Sequence, residues 1–287
     1  MTPALRPPVV AGQFYAADGA ALARQLEASF LSDRGPGALP TRQRAPTRRI
    51  RAAIVPHAGY EYSGPIAALA YAAIAAERPP STVLVLGVDH HAASRGAALS
   101  DQDWRTPLGP SPCDRDLLAA LDHPPLEVDD AAHALEHSIE VQLPFLEYVL
   151  PRPRFVALEV GFDRFSSLER IAAVVRAGIA GRDVLLIAST DFSHYVPVET
   201  ARRLDRLAIE AILARDARRL YQTVTTEEIS MCGIAPTTVL LAALAEEPLT
   251  ARLLRWGHSG EAARMGEVVG YASLLLESDR PLAPPVK

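Results

Sequence analysis

Cysteine is scarce in this chain: two residues in 287, Cys113 and Cys232. Two thiols so far apart supply no disulfide framework, and they point to reduced cysteines in a reducing, cytoplasmic setting. A basic excess is also missing. With 29 Lys and Arg against 34 Asp and Glu the formal charge is −5, so no positive field is available to neutralise a phosphate backbone and nucleic acid is disfavoured as a partner. The longest wholly apolar stretch, residues 66–76, is well short of the roughly 18 residues that a membrane span needs. The opening MTPALRPPVVAGQFY has no basic start followed by an apolar run. The expectation is a chain that is neither secreted nor membrane-spanning. No G-x-x-x-x-G-K-[ST] or G-x-G-x-x-G occurs, and the GHSG turn lacks the spacing of G-x-S-x-G. P-loop NTPase, dinucleotide dehydrogenase and serine esterase are disfavoured accordingly.

What is present reads as a globular chain, 49% hydrophobic and 22% charged. Asp18 is placed to cap a helix through Phe30, since Ala20, Leu22, Leu26 and Phe30 recur at helical spacing. Residues 33–48 mix Gly, Pro and Arg without periodicity and read as an exposed loop. Beyond them, apolar runs rich in Val, Ile and Leu (50–55, 82–88, 154–160 and 183–189) alternate with helical segments at 67–77, 114–121, 137–148 and 165–179. Helices at 199–220 and 237–246 follow, then two runs, 252–256 and 268–277, that look like an antiparallel closing pair. Alternation of this kind predicts an α/β fold, a largely buried sheet, at least partly parallel, flanked by helices. No break in composition or internal repeat divides residues 1–287, so a single domain is expected.

Three of the apolar runs lead directly into polar residues: Pro56-His57-Ala58-Gly59-Tyr60, then Asp89-His90-His91, then Thr190-Asp191-Phe192-Ser193-His194-Tyr195. Ligands of open α/β sheets bind outside the carboxyl ends of the strands, so these three loops are expected to converge on one crevice. A single histidine after a strand is more often a hydrogen-bonded loop residue than a ligand. Three such loops among eight histidines shift that balance. Neutral imidazoles with one anionic ligand suit Zn, Cu, Fe or Ni and leave positions open, as in non-haem iron sites. Asp191 or the thiolate of Cys232 supplies the anion. Cys232 lies just before a helix that Pro236 could begin, where the dipole favours a thiolate; a small buried hydrophobe is its alternative role. Without a metal, Asp191 could orient His194 as a general acid or base. His133-Ala134-Leu135-Glu136-His137 matches the inverted zinc-peptidase pattern H-x-x-E-H, the basis of a zinc hydrolase alternative. Independently of that motif, Glu136 and His137 are candidates to face the crevice. Phe145 and Tyr148 read as packing.

The segments RPPVVAGQFY, VPHAGYEYSG, LGVDHH, EHSIEVQLPFLE, STDFSHY and MCGIAP, in order along nearly the whole chain, together resemble the Memo family. Its bacterial and archaeal members are named protein B of the AmmeMemoRadiSam system. The resemblance implies a fold similar to the class III extradiol dioxygenases, whose non-haem iron is held by two His and a Glu. It implies His57, His91 and Cys232 as metal ligands, with Asp191 and His194 lining the same pocket and His90 as the neighbour of His91; Glu136, His137 and Tyr60 are candidates for the same pocket on their own residues. A cysteine stands where the dioxygenases have a glutamate, so ring cleavage is not inherited with the fold. The cofactor implied is Fe2+, with Cu or Zn as alternatives. The resemblance also implies Ammecr-type and radical-SAM proteins as functional partners. The reading is a metal-dependent redox enzyme acting on an unknown small molecule or peptide. Its rival is a non-catalytic peptide- or protein-binding module using the same crevice.

Overall fold

The computed structural model describes residues 5–41, 44–94 and 96–282. Among them, the first half contains β1 (Leu5–Arg6), α1 (Gly19–Leu31), β2 (Ile50–Val55), α2 (Tyr60–Ala75), β3 (Thr82–Val88), β4 (Ala97–Leu99), β5 (Asp103–Thr106), β6 (Gly109–Ser111), α3 (Arg115–Leu121), β7 (Glu127–Val128) and α4 (Leu143–Val149). The second half contains β8 (Phe155–Val160), α5 (Phe165–Ile179), β9 (Val184–Ser189), α6 (Val198–Leu213), α7 (Ala217–Thr226), α8 (Ile234–Ala243), β10 (Leu249–His258) and β11 (Gly270–Ser278). Eight of the strands form one sheet in the order β10-β11-β2-β9-β3-β8-β4-β7. At its centre β2, β9, β3 and β8 run parallel. β11 and β10 close one side antiparallel, as their sequence suggested, and β4 pairs antiparallel with β8 on the other. β1, β5 and β6 make a small separate sheet. The fold is therefore α/β with a mixed sheet, as predicted.

The central strands are buried along their whole lengths, which is why they read as unbroken apolar runs rather than alternating ones. Each nevertheless sorts its side chains between two cores. Leu84, Leu86, Val156, Leu158, Leu186 and Ala188 pack with residues of α3, α5, α6, α7 and α8. Val83, Val85, Phe155, Ala157, Leu185 and Ile187 pack with α1, α2 and α4 on the opposite face. The two-residue period then fixes where the polar strand ends point. Continuing from Leu185 and Ile187, Ser189 falls on the α4 face; continuing from Phe155 and Ala157, so does Glu159.

Several boundaries differ from the sequence expectation. α2 begins seven residues before position 67 and contains Pro65, whose ring cannot donate to the Glu61 carbonyl. The Arg34 guanidinium takes that carbonyl at 3.1 Å and the Tyr62 carbonyl at 3.3 Å, so the disrupted turn stays satisfied. The segment 137–148 is not one helix: a 3-10 turn at Glu140–Gln142 precedes the short α4. The segment 199–220 divides at Arg215, which has φ +55°, and Asp216 caps α7 through the Arg219 N–H. The helix placed at 237–246 is α8, three residues earlier. Described residues of 33–48 form no helix or strand, but Arg48 is an exception to exposure, buried against Asp183 and the Ile50 carbonyl. Phe145 packs on Phe30, Tyr60 and Tyr71, and Tyr148 on Phe30, as core rather than site. Among the described residues no helix is long and apolar enough to cross a membrane.

Candidate metal centre

The four parallel strands end side by side, and the loops leaving three of them meet. His57, two residues beyond β2, is buried, and its Nε2 lies 3.3 Å from Cys232 Sγ. His90 follows β3. The donor atoms that His57, His90 and Cys232 offer all lie within 4.8 Å of one another. Asp191, beyond β9, accepts the His57 backbone N–H at 2.9 Å and donates its own to Cys232 Sγ at 3.3 Å.

Neighbouring groups decide which imidazole nitrogens are free. The Ser189 hydroxyl donates its single hydrogen to the Ser138 carbonyl at 2.7 Å. It can therefore only accept from the two other groups upon it, Gln142 Nε2 at 2.7 Å and His57 Nδ1 at 3.0 Å. His57 thus carries its proton on Nδ1 and turns the Nε2 lone pair towards Cys232. The Glu136 carboxylate does the same for His90, accepting its Nδ1–H at 3.0 Å and its backbone N–H at 3.0 Å. Glu136 also accepts the N–H groups of His137 and Ser138. Burial alone would raise its pKa; the hydrogen bond from His90, with that of the Ser138 N–H, outweighs it and holds the carboxyl well below the usual range. Glu136 groups with His90 and His137 as a second possible donor set. So many donors already fill its oxygens that it fits better as the carboxylate orienting His90.

Burial, with neighbouring His137 and His90, keeps His57 neutral by pushing its pKa well down. His137 falls to about 4 for the same first reason, against the pull of Glu136. Its ring stacks on His90 with centroids 4.8 Å apart and meets His57 edge-on at 5.5 Å. Asp191 is pushed up to about 6 by burial, against the His57 N–H it accepts. Burial and then the Asp191 carboxylate push the Cys232 thiol up, so without a metal the sulfur keeps its proton. This corrects the expectation of a dipole-favoured thiolate: Cys232 precedes α8, but burial dominates. Gly233 explains how Cys232 comes so close to β9. A β-carbon there would stand 2.2 Å from Thr190 Cβ and 2.8 Å from the Ser189 carbonyl oxygen.

Four other expectations are corrected. His91 stands outside the donor group; it is exposed, and its Nε2 lies 3.2 Å from the Leu135 carbonyl. The first histidine of the pair, His90, takes the place expected for the second, because the chain turns immediately after it, with Ala92 at φ +49°. Asp191 does not orient His194. The His194 Nδ1–H goes to the Ser230 carbonyl at 2.7 Å and its N–H to Ser230 Oγ. Tyr60 is no pocket residue but core: its hydroxyl donates to the Val141 carbonyl at 2.6 Å and its ring packs between Tyr15 and Phe145. The H-x-x-E-H pattern is not on one α-helix. His133 sits in a separate 3-10 turn with Nε2 on the Ala98 carbonyl, so the zinc-peptidase geometry is missing among the described residues.

Sequence reasoning missed Ser138 and Gln142, which lay inside a segment read as a helix, and Ser189, which lay inside an apolar run. The available signal was a polar residue on an otherwise buried face. It also missed Phe14, whose ring meets His137 edge-on at 4.9 Å and lines an adjoining cavity of about 230 Å³ with Gln13, Gln25, Glu61 and Tyr62.

A sheet whose parallel strand ends bring two oriented imidazoles to a thiol on the approach to α8 defines an α/β protein with a nitrogen–sulfur donor group. Comparison with known proteins places it further: a model of the Memo-like protein family matches residues 6–275, and the chain belongs to that family. A MEMO1 family protein of Methanopyrus kandleri is 39% identical over 278 residues, covering 94% of this chain and 98% of the relative. One from Methanothermobacter thermautotrophicus is 36% identical over 277 residues, covering 94% and 99%. The crystal structure of an uncharacterized protein, JW3007, from Escherichia coli K12 shares the fold at a TM-score of 0.53. It is 14% identical, over 79% of this chain and 99% of that one.

Proposed function

We propose that the chain is a metal-dependent redox enzyme whose metal is held by His57 Nε2, His90 Nε2 and Cys232 Sγ. The observation that carries this reading is the pair of oriented imidazoles: Ser189 and Glu136 each take an Nδ1–H, which leaves each ring its Nε2 lone pair, and both residues share one donor group with the Cys232 sulfur. Two imidazoles and one thiolate suit iron, copper and zinc, and iron(II) is our first choice. Three protein ligands leave room for substrate, and the metal when bound supplies the electron-transfer chemistry.

The chain's own residues do the rest. Ser189 and Glu136 orient the ligands, and Asp191 fastens the turns bearing His57 and Cys232. His194, its Nδ1–H tied to Ser230, keeps Nε2 free to accept or return a substrate proton. A reducing, cytoplasmic setting belongs to the same reading, since Cys232 serves only as a thiol or thiolate.

Anaerobic purification with reductant, followed by elemental analysis, tests the proposal. About one iron or copper per chain, lost in Cys232→Ser and in His57→Ala, is expected. No metal after reconstitution would favour a binding module instead. That second reading draws on Leu135, Phe162 and Tyr195, each at least 66% exposed on segments at this edge of the sheet, and it predicts partner affinity that survives chelation.

A further inference from the structure

The cavity beside Phe14 has no part in the reading above. It lies between the turn at residues 10–16, Gln25 of α1 and the first turn of α2, with a volume of about 230 Å³. Hydrogen bonds between its walls hold it open. Glu140 accepts the Val9 and Val10 N–H groups at 2.9 and 3.0 Å and the Tyr15 hydroxyl at 2.6 Å. Gly12, at φ +84°, closes the turn by donating to the Tyr15 carbonyl at 2.6 Å, a conformation that glycine adopts without strain. The Tyr60 N–H joins α2 to the Phe14 carbonyl at 2.8 Å, and the Ala16 N–H joins the turn to Gln25 Oε1 at 2.9 Å. Walls tied in this way need little reordering when a ligand enters, which lowers the cost of binding.

The groups that the walls leave unspent define what the cavity takes. Gln25 gives its oxygen to Ala16 and keeps its NH2 group. Among the described residues, neither the Gln13 side chain nor the Glu61 carboxylate has a hydrogen-bond or ion-pair partner. Glu61 is the only charged residue of the described lining. Arg34 does not line the cavity, and its guanidinium is committed to the Glu61 and Tyr62 carbonyls. Phe14 and Tyr62 add aromatic side chains to the same wall, and such rings attract a cation that comes within about 6 Å of them. One carboxylate flanked by two aromatic residues favours a cationic group over a neutral or anionic one.

We propose that this cavity is a recognition subsite for an organic ammonium group, with Glu61 as the residue that determines specificity. Its volume is below the roughly 300–1,000 Å³ of pockets that enclose a whole small molecule, so it suits one head group of a larger substrate. Its place in the fold agrees. Gly59, in the loop that carries His57, lines it, and the Phe14 ring meets His137 at 4.9 Å. A head group seated there leaves the rest of its molecule beside the donor group of His57, His90 and Cys232. The inference deepens the reading of that centre by naming a substrate class, a small organic cation.

The test titrates the full-length chain at pH 7 with benzylammonium and, as a neutral counterpart of the same shape, benzyl alcohol, and follows both by nuclear magnetic resonance. Benzylammonium is expected to shift the Gln25 side-chain amide and the Phe14 and Tyr62 ring signals. Benzyl alcohol is expected to bind about fivefold more weakly, and Glu61→Gln to weaken benzylammonium alone by about the same factor. Glu61 is exposed, so its replacement leaves the core intact, and Glu61→Lys should abolish the ammonium preference. Equal affinity for the two probes, unchanged benzylammonium binding in Glu61→Gln, or shifts that miss Gln25 and Tyr62 would each overturn the proposal. The titration needs neither metal nor turnover. Failure of the metal assignment would therefore leave its result intact, and its own failure would leave that assignment standing.

Discussion

His57 Nε2 and Cys232 Sγ stand 3.3 Å apart although 175 residues separate them in sequence. The contact joins the end of β2 to the approach of α8, and Asp191 holds both sides of it through backbone hydrogen bonds. Without a metal the thiol is protonated, so a metal binding here must displace that proton.

Metal affinity should therefore rise with pH. One proton displaced from Cys232 predicts an increase of about tenfold per pH unit across the neutral range. Calorimetric titration of Fe2+ in buffers of different ionisation enthalpy should register the released proton. An affinity flat between pH 6 and 8 would show that the thiol is not a ligand.

Ser189→Ala should impair the centre without removing a ligand. It deprives His57 Nδ1–H and Gln142 Nε2 of their shared acceptor, and loss of such an orienting partner typically lowers metal affinity about 10–100-fold. The unpaired buried donors should also lower stability by about 1–3 kcal/mol in denaturant unfolding. Unchanged metal affinity would mean that the His57 tautomer is set elsewhere.

Gly233→Ala should separate Cys232 from His57, since the new methyl group would overlap Thr190 and the Ser189 carbonyl. The expected result is a lower unfolding temperature together with faster reaction of Cys232 with a thiol reagent. Slow, wild-type labelling would show that the turn accommodates a side chain.

Stability should fall with rising pH through Glu159. Its folded pKa, about 10, lies above its ordinary value of 4.5. The folded chain therefore keeps a proton that the unfolded chain gives up, so the contribution is full below the ordinary value and is lost as pH rises towards the folded one. Relative to Glu159→Gln, the wild type should lose up to about 1.4 kcal/mol per pH unit between pH 5 and 8. Parallel stability curves would contradict this.

The parallel core was legible because its strands are uniformly apolar and end in polar residues. The loops after β2, β3 and β9 could be assigned to one edge for the same reason. The choice between His90 and His91 was not legible, since adjacent residues in a turn differ in direction by a dihedral that periodicity does not carry. The orientation of Tyr60 was hidden similarly: its motif begins a helix whose first residue faces the core. The helix expected at 137–148 failed at its start because His137 and Ser138 give their backbone N–H groups to the Glu136 carboxylate, while the Ser138 hydroxyl and carbonyl are taken by Val88 and Ser189. Ser189 and Glu159 become readable only once strand register assigns them to the α4 face.

The most direct test of the account is metal stoichiometry in His90→Ala and His91→Ala, prepared side by side under anaerobic, reducing conditions. The structure groups His90 with His57 and Cys232 and leaves His91 on the surface. Loss of bound iron in His90→Ala, with wild-type content in His91→Ala, is the predicted result. Metal retained in His90→Ala and lost in His91→Ala would contradict it.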